Sequence, residues 1–148
     1  REIMEHMNPL VYERPRFSFQ GGTFCANPVT ATAGLATLKI LQDGRLSARL
    51  NKRGDRLRGQ LKDVFERKAM YVQVTGLGSL WHTHFTKEPV HDSNAVARAD
   101  SGKLTQYHMH LIENGVFFLP RKVGALCSEH SEADLDRLLS ETERFKIR

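Results

Sequence analysis

Gly21-Gly22-Thr23 is the part of this sequence best suited to holding an anion. Two glycines let backbone N–H groups approach a ligand closely, the threonine adds a hydroxyl, and Asn27-Pro28 just beyond opens a helix. Such a cradle suits a phosphate. Most Gly-Gly pairs are turns and nothing more, so these residues alone leave both readings open. The histidines invite a metal reading. His82 and His84 share one strand face, whereas His108 and His110 diverge by about 200° around a helix. No cysteine or carboxylate pair completes a ligand set, so no zinc site is expected. Beside Trp81 and Phe85, the strand histidines read as packing or rim residues.

The formal net charge of +5 raises nucleic acid as a partner. Much of the positive charge lies on one predicted helix: Arg45, Arg49, Lys52, Arg53, Arg56, Arg58, Lys62, Arg67 and Lys68. Asp55, Asp63 and Glu66 are interleaved with them and no aromatic platform accompanies them, so a solvated face is expected and nucleic acid is disfavoured. With 148 residues, 40% hydrophobic and 26% charged, the chain suits one ordinary domain with a real core. No apolar run approaches the ~18–20 residues that span a bilayer, and there is no signal-peptide core. The opening Arg1-Glu2-Ile3-Met4-Glu5, without an initiator methionine, reads as the start of an excised chain. Cys25 and Cys127, isolated from each other, fit a reducing compartment, cytoplasmic by default, better than a disulfide framework.

The elements that must position these groups follow from the pattern. Ile3, Met4 and Met7 make a short amphipathic start, after which Asn8-Pro9, Arg14-Pro15 and Gly21-Gly22 break all periodicity. The apolar residues between them, from Leu10 to Phe24, expect a surface supplied by something larger. Asn27 as N-cap and Pro28 as first helical residue begin a small-residue helix over 29–41, with Gly44 ending it. Leu46, Leu50, Leu57, Leu61, Val64 and Phe65 form one face of a second helix to about Ala69. Strands are predicted at 71–75 and 79–86 around the Gly76-Leu77-Gly78 turn, followed by a polar surface loop over 89–102. A short helix through Leu104, His108 and Leu111 stops at Asn114-Gly115. Strands at 116–119 and 125–128 and a last helix begun by a Ser131–Asp134 capping box complete the chain. The order predicts an α+β sandwich, a mostly antiparallel sheet covered by helices.

Several segments, in order and in register, resemble the aminomutase-like branch of the class III aminotransferases. Gly21-Gly22-Thr23-Phe24, with Asn27 and the Ala/Gly-rich helix behind it, resembles the family's GGT[FY] segment. Gln73 to Leu80 is similar to its VTGxGSM/L strand-turn-strand, His84-Phe85-Thr86 to HFT, and Pro89-Val90 to GPV. Gly115 to Pro120 is similar to GVYLAP, and Ser131 to Leu135 to TEEDI. Arg1-Glu2-Ile3-Met4 matches the helix just after the family's cofactor lysine. The likeness runs from end to end and points to glutamate-1-semialdehyde aminomutase and the related β-amino-acid aminotransferases.

The resemblance implies the small C-terminal domain of a fold-type I enzyme over 27–148, with 1–26 as a remnant of the large cofactor-binding domain. It implies pyridoxal 5'-phosphate as cofactor and a homodimer with shared active sites. Its substrates would be a small-molecule amino donor and a keto or semialdehyde acceptor. Gly22 and Thr23 would bind the cofactor phosphate, Thr23 serving the neighbouring subunit's site. No lysine here stands in the context of the family's Schiff-base lysine, so the chain alone is expected to be inactive, with no catalytic residue of its own. After Pro120 the aminomutase pattern SxFEAGFxSxAHT, with its Glu, is absent. Pro120-Arg121 instead resembles the SPRG of β-amino-acid aminotransferases, where the Arg grips a substrate carboxylate; spacing alone leaves Arg121 equally open to a surface role. The reading from another class is an inert α+β binding module that meets an acidic partner or nucleic acid through its basic helix.

Overall fold

The computed structural model describes residues 5–8, 10–11, 21–25, 27–117 and 119–147. The amphipathic start at Ile3 and Met4, and the breakers and apolar residues between 12 and 20, lie outside the described residues. The chain divides into two compact units, 1–42 and 43–148.

The first unit holds α1 (Pro28–Leu41), begun as its sequence demands. The Asn27 side chain accepts from the N–H groups of Val29 and Thr30, and Pro28 takes the position where an N–H is not needed. No residue of α1 is buried, and Val29, Leu35, Leu38 and Ile40 are exposed. Helix α1 falls within the unit 1–42.

In the second unit Gly44 leads into α2 (Arg45–Arg67). There follow β1 (Val72–Thr75), β2 (Leu80–Phe85), α3 (Ser93–Arg98), α4 (Ser101–Glu113), β3 (Gly124–Ala125) and α5 (Glu132–Arg144). The strands form an antiparallel sheet in the order β1-β2-β3, with Val72 opposite Phe85 and Trp81 opposite Gly124. Helix α2 packs on β1, β2 and α5, and α4 packs on β2 and α5. This is the expected α+β arrangement of an antiparallel sheet with helices packed on it. The core is Leu57, Leu61 and Phe65 of α2 with Trp81, Phe85, Leu104, Tyr107, Leu111, Leu135, Leu138 and Phe145. Each large side chain removed from water there contributes roughly 1.5–3 kcal/mol.

The basic face of α2 is largely tied down. Arg53 pairs with Glu132 at 3.1 Å and Arg67 with Glu143 at 3.1 Å, while Arg56 also reaches Glu132. Lys68 donates to the Glu143 carbonyl, so much of this charge fastens α2 to α5. Arg58 donates to the carbonyls of Gly78 and Leu80 at 2.6 and 2.7 Å and so braces the β1–β2 turn.

Three local expectations are corrected. The polar stretch 89–102 contains α3 and the start of α4, because Asp92 and Asp100 cap these helices through the N–H groups of Ala95 and Lys103. No strand forms among the described residues of 116–119. Val116 spends its N–H on the Leu111 carbonyl, Pro120 has none, and Lys122 closes a turn to Leu119. The strand expected at 125–128 is shifted to Gly124–Ala125. Leu126 still donates to Ser79, but the Cys127 N–H goes to His130 Nδ1 at 2.9 Å and ends the ladder.

Gly54 lets α2 lie against the hairpin turn: a Cβ there would collide with the Gly78 carbonyl and the Ser79 backbone. Gly54→Ala is therefore expected to destabilise the chain by roughly 1–3 kcal/mol, against the helix-propensity gain alanine normally brings. Equal or higher stability in chemical denaturation would show that this contact is not close-packed.

Candidate functional site

Two groups of residues have site chemistry, one in each unit. In the first, Gly22 to Cys25 form a turn closed by the Cys25 N–H to the Gly22 carbonyl at 3.0 Å, with Thr23 exposed on it. Asn27 already occupies the Val29 and Thr30 N–H groups, and Pro28 offers none. The donors left to meet an anion are accordingly those of the turn and the Thr23 hydroxyl, more than the first turn of α1. A hydroxyl beside glycine backbone fits a phosphate group.

In the second unit, Pro120 and Arg121 form the bend between Leu119 and Lys122, closed by the Lys122 N–H at 3.0 Å. Arg121 carries φ +62°. With Pro second and a positive φ third, the bend has the pattern of a type II turn, whose third place favours glycine. Holding an L-residue left-handed costs about 1–2 kcal/mol. An arginine at that place asks for a reason beyond the turn. Its backbone N–H donates to His108 Nδ1 at 2.7 Å, and His108 is fully buried on α4.

Arg121 lines a cavity of about 220 Å³ with His82, His84, Phe85, Val96, Asp100, Ser101 and Leu104. The strand period puts His82 and His84 on one face, ring centroids 4.4 Å apart and edge to face. His84 Nε2 meets Thr75 Oγ1 at 2.9 Å. Burial holds all three imidazoles neutral. Burial first, and the nearby His82 second, lower His84 and His108 to about 4, and burial lowers His82 as well. The cavity therefore sets the Arg121 guanidinium beside neutral rings and apolar side chains, with the Asp100 carboxylate, paired to Lys103 at 3.1 Å, also on its lining. A guanidinium so placed can take a carboxylate in two parallel hydrogen bonds.

Gly22 and Thr23 belong to the first unit and Arg121 to the second. Gly78 does not line this cavity; it sits against Asn51 and Gly54 of α2. Among the described residues no group of three or more His, Cys, Asp or Glu could hold a metal ion. Cys25 and Cys127 form no disulfide, and both are exposed. No helix among the described residues is long and apolar enough to cross a membrane. His108 was legible only as a helix residue. The signal for more was its place in the stripe Leu104, Tyr107, His108, Leu111, all buried on α4, where an imidazole needs a partner.

The fold is that of part of a transaminase. The chain is similar to a β-phenylalanine aminotransferase from Variovorax paradoxus, with TM-score 0.81 and 27% identity over 97% of this chain and 32% of that one. It is similar also to an omega-transaminase from Sphaerobacter thermophilus, with TM-score 0.71 and 28% identity over 97% and 32%. Residues 1–126 match the family Aminotransferase class-III, and the chain belongs to that family. A glutamate-1-semialdehyde 2,1-aminomutase from Methanothermobacter thermautotrophicus is 38% identical over 144 residues, 92% of this chain and 32% of the relative. The chain thus spans about a third of the length of the relatives it matches.

The neutral histidines set a pH dependence. A histidine whose pKa is depressed by folding stabilises the fold above its unfolded value of 6.5, and that contribution is lost as pH falls toward about 4. The melting temperature is expected to drop by roughly 5–10 °C between pH 7.5 and pH 5 and to change little from 7.5 to 9. Equal melting temperatures at pH 5 and 7.5 would contradict neutral burial of these rings.

Proposed function

We propose that a protein carrying this chain is a pyridoxal-phosphate-dependent transaminase or aminomutase. It moves an amino group between an amino-acid-like donor and a keto or semialdehyde acceptor. The observation that carries this reading is the class-III family match over residues 1–126. When bound, pyridoxal phosphate supplies an electron sink for the carbon that bears the amine. The role of this chain is to hold and orient. Gly22 and Thr23 offer the backbone and hydroxyl for the cofactor phosphate, in a homodimer whose sites are shared between subunits. Arg121 takes the substrate carboxylate at the mouth of its cavity.

In this reading 1–26 are the end of the large cofactor-binding domain and 27–148 the small domain of a cytoplasmic enzyme. No lysine of the chain serves as the Schiff-base residue, so the segment alone transfers nothing. Family membership favours the enzyme over an inert binding module. The ion pairs that fasten α2 to α5 favour it over a helix kept free for nucleic acid.

Two substitutions in the full-length protein separate the two roles. Arg121→Met is expected to lower kcat/KM for pyruvate about 10- to 100-fold more than for an aldehyde acceptor without a carboxylate, the loss of a charge-assisted pair. Thr23→Val is expected to weaken pyridoxal phosphate binding about tenfold and leave that ratio unmoved. Equal losses on both acceptors for Arg121→Met would remove Arg121 from the carboxylate site. Unaltered cofactor affinity in Thr23→Val would remove Thr23 from the phosphate site.

A further inference from the structure

We propose that His108 is a positioning residue for Arg121: its neutral Nδ1 anchors the Arg121 backbone and fixes the direction in which the guanidinium leaves the turn. The role rests on the carboxylate reading of Arg121 given above. The geometry has three parts. Arg121 stands in the left-handed region at φ +62°, where an L-residue is held only by its surroundings. Its N–H is taken by His108 Nδ1 at 2.7 Å, a short bond to a ring that is 0% exposed. The ring packs on Tyr107, with centroids 5.6 Å apart, and Tyr107 is itself held to Thr142 at 2.7 Å and against Phe145, with ring centroids 5.3 Å apart. An acceptor so fixed defines where the third residue of the turn begins, and hence where its side chain can reach.

The acceptor role requires an unprotonated Nδ1, with the proton on Nε2. The titratable groups around this corner are His82 and His84 of β2, Asp100 at the start of α4, Tyr107 on α4 and Arg121 itself. Burial and the neighbouring His82 both disfavour a charge on His108, so the bond persists through the neutral range.

The test uses full-length protein loaded with pyridoxal phosphate, and three substitutions. His108→Asn keeps an acceptor near the place of Nδ1. His108→Leu removes it, and His108→Gln moves it outward toward the place of Nε2, a second loss variant should leucine prevent folding. Hydrogen exchange by mass spectrometry over residues 119–123 is expected to quicken about tenfold in the Leu and Gln variants and stay near wild type in Asn. In parallel, KM for pyruvate rises about tenfold in Leu and Gln with kcat nearly constant, and Asn restores it. Unchanged exchange in both loss variants would overturn the anchor. Full discrimination for pyruvate over an uncharged aldehyde in both, while Arg121→Met has lost it, would overturn the positioning role and leave the Arg121 reading intact. If Arg121→Met itself keeps the discrimination, the carboxylate reading fails, and the positioning role with it.

Discussion

The hydroxyl of Tyr107 has no water to turn to. Tyr107 is 2% exposed, and its hydroxyl is satisfied inside the core by Thr142 of α5, itself fully buried. Left unpaired, such a group would cost about 1–3 kcal/mol, so the pair dictates the rotation of α4 against α5. Around it the rings of Phe65, Phe85 and Phe145 meet Tyr107 at 5.5, 6.1 and 5.3 Å, tilted or edge on. One side chain therefore ties α2, β2, α4 and the end of α5 together. With α4 so fixed, His108 has one direction to face, and that direction is the Arg121 turn.

Charge is arranged around this core in two ways. On α2, cations are spent on α5 carboxylates and on the carbonyls of the Gly78 turn, where they fasten elements. At the cavity the opposite holds: burial keeps His82, His84 and His108 neutral, leaving Arg121 as the cation among them. An anion entering there meets the Arg121 guanidinium beside neutral rings, while the Asp100 carboxylate that also lines the cavity is paired with Lys103 at 3.1 Å.

The sequence was most legible where local chemistry decides structure. Asn27-Pro28, the apolar stripe from Leu46 to Phe65 and the Ser131–Asp134 capping box all formed as their residue types require. The β1–β2 hairpin followed from its β-rich runs and the glycines between them. It was least legible where a backbone donor had competing partners. Val116 could have joined a ladder but bonds to Leu111, and Cys127 could have extended β3 but bonds to His130. Asp92 and Asp100 looked like loop residues because capping reads the same in sequence as solvation. Arg121 was visible as a candidate through its resemblance to a family motif. The left-handed turn and the histidine that holds it were not, since neither leaves a periodic trace.

The chain belongs to the class-III aminotransferases, and the relatives it matches are about three times its length. The most direct measurement is spectroscopic. Full-length protein reconstituted with pyridoxal phosphate is mixed with one equivalent of an amino-acid donor, and the cofactor absorbance is followed without any acceptor. The account predicts stoichiometric conversion of the aldehyde form of the cofactor to its amine form, reversed on adding a keto acid. A cofactor spectrum that no amine alters, or a protein that takes up no cofactor, would contradict it.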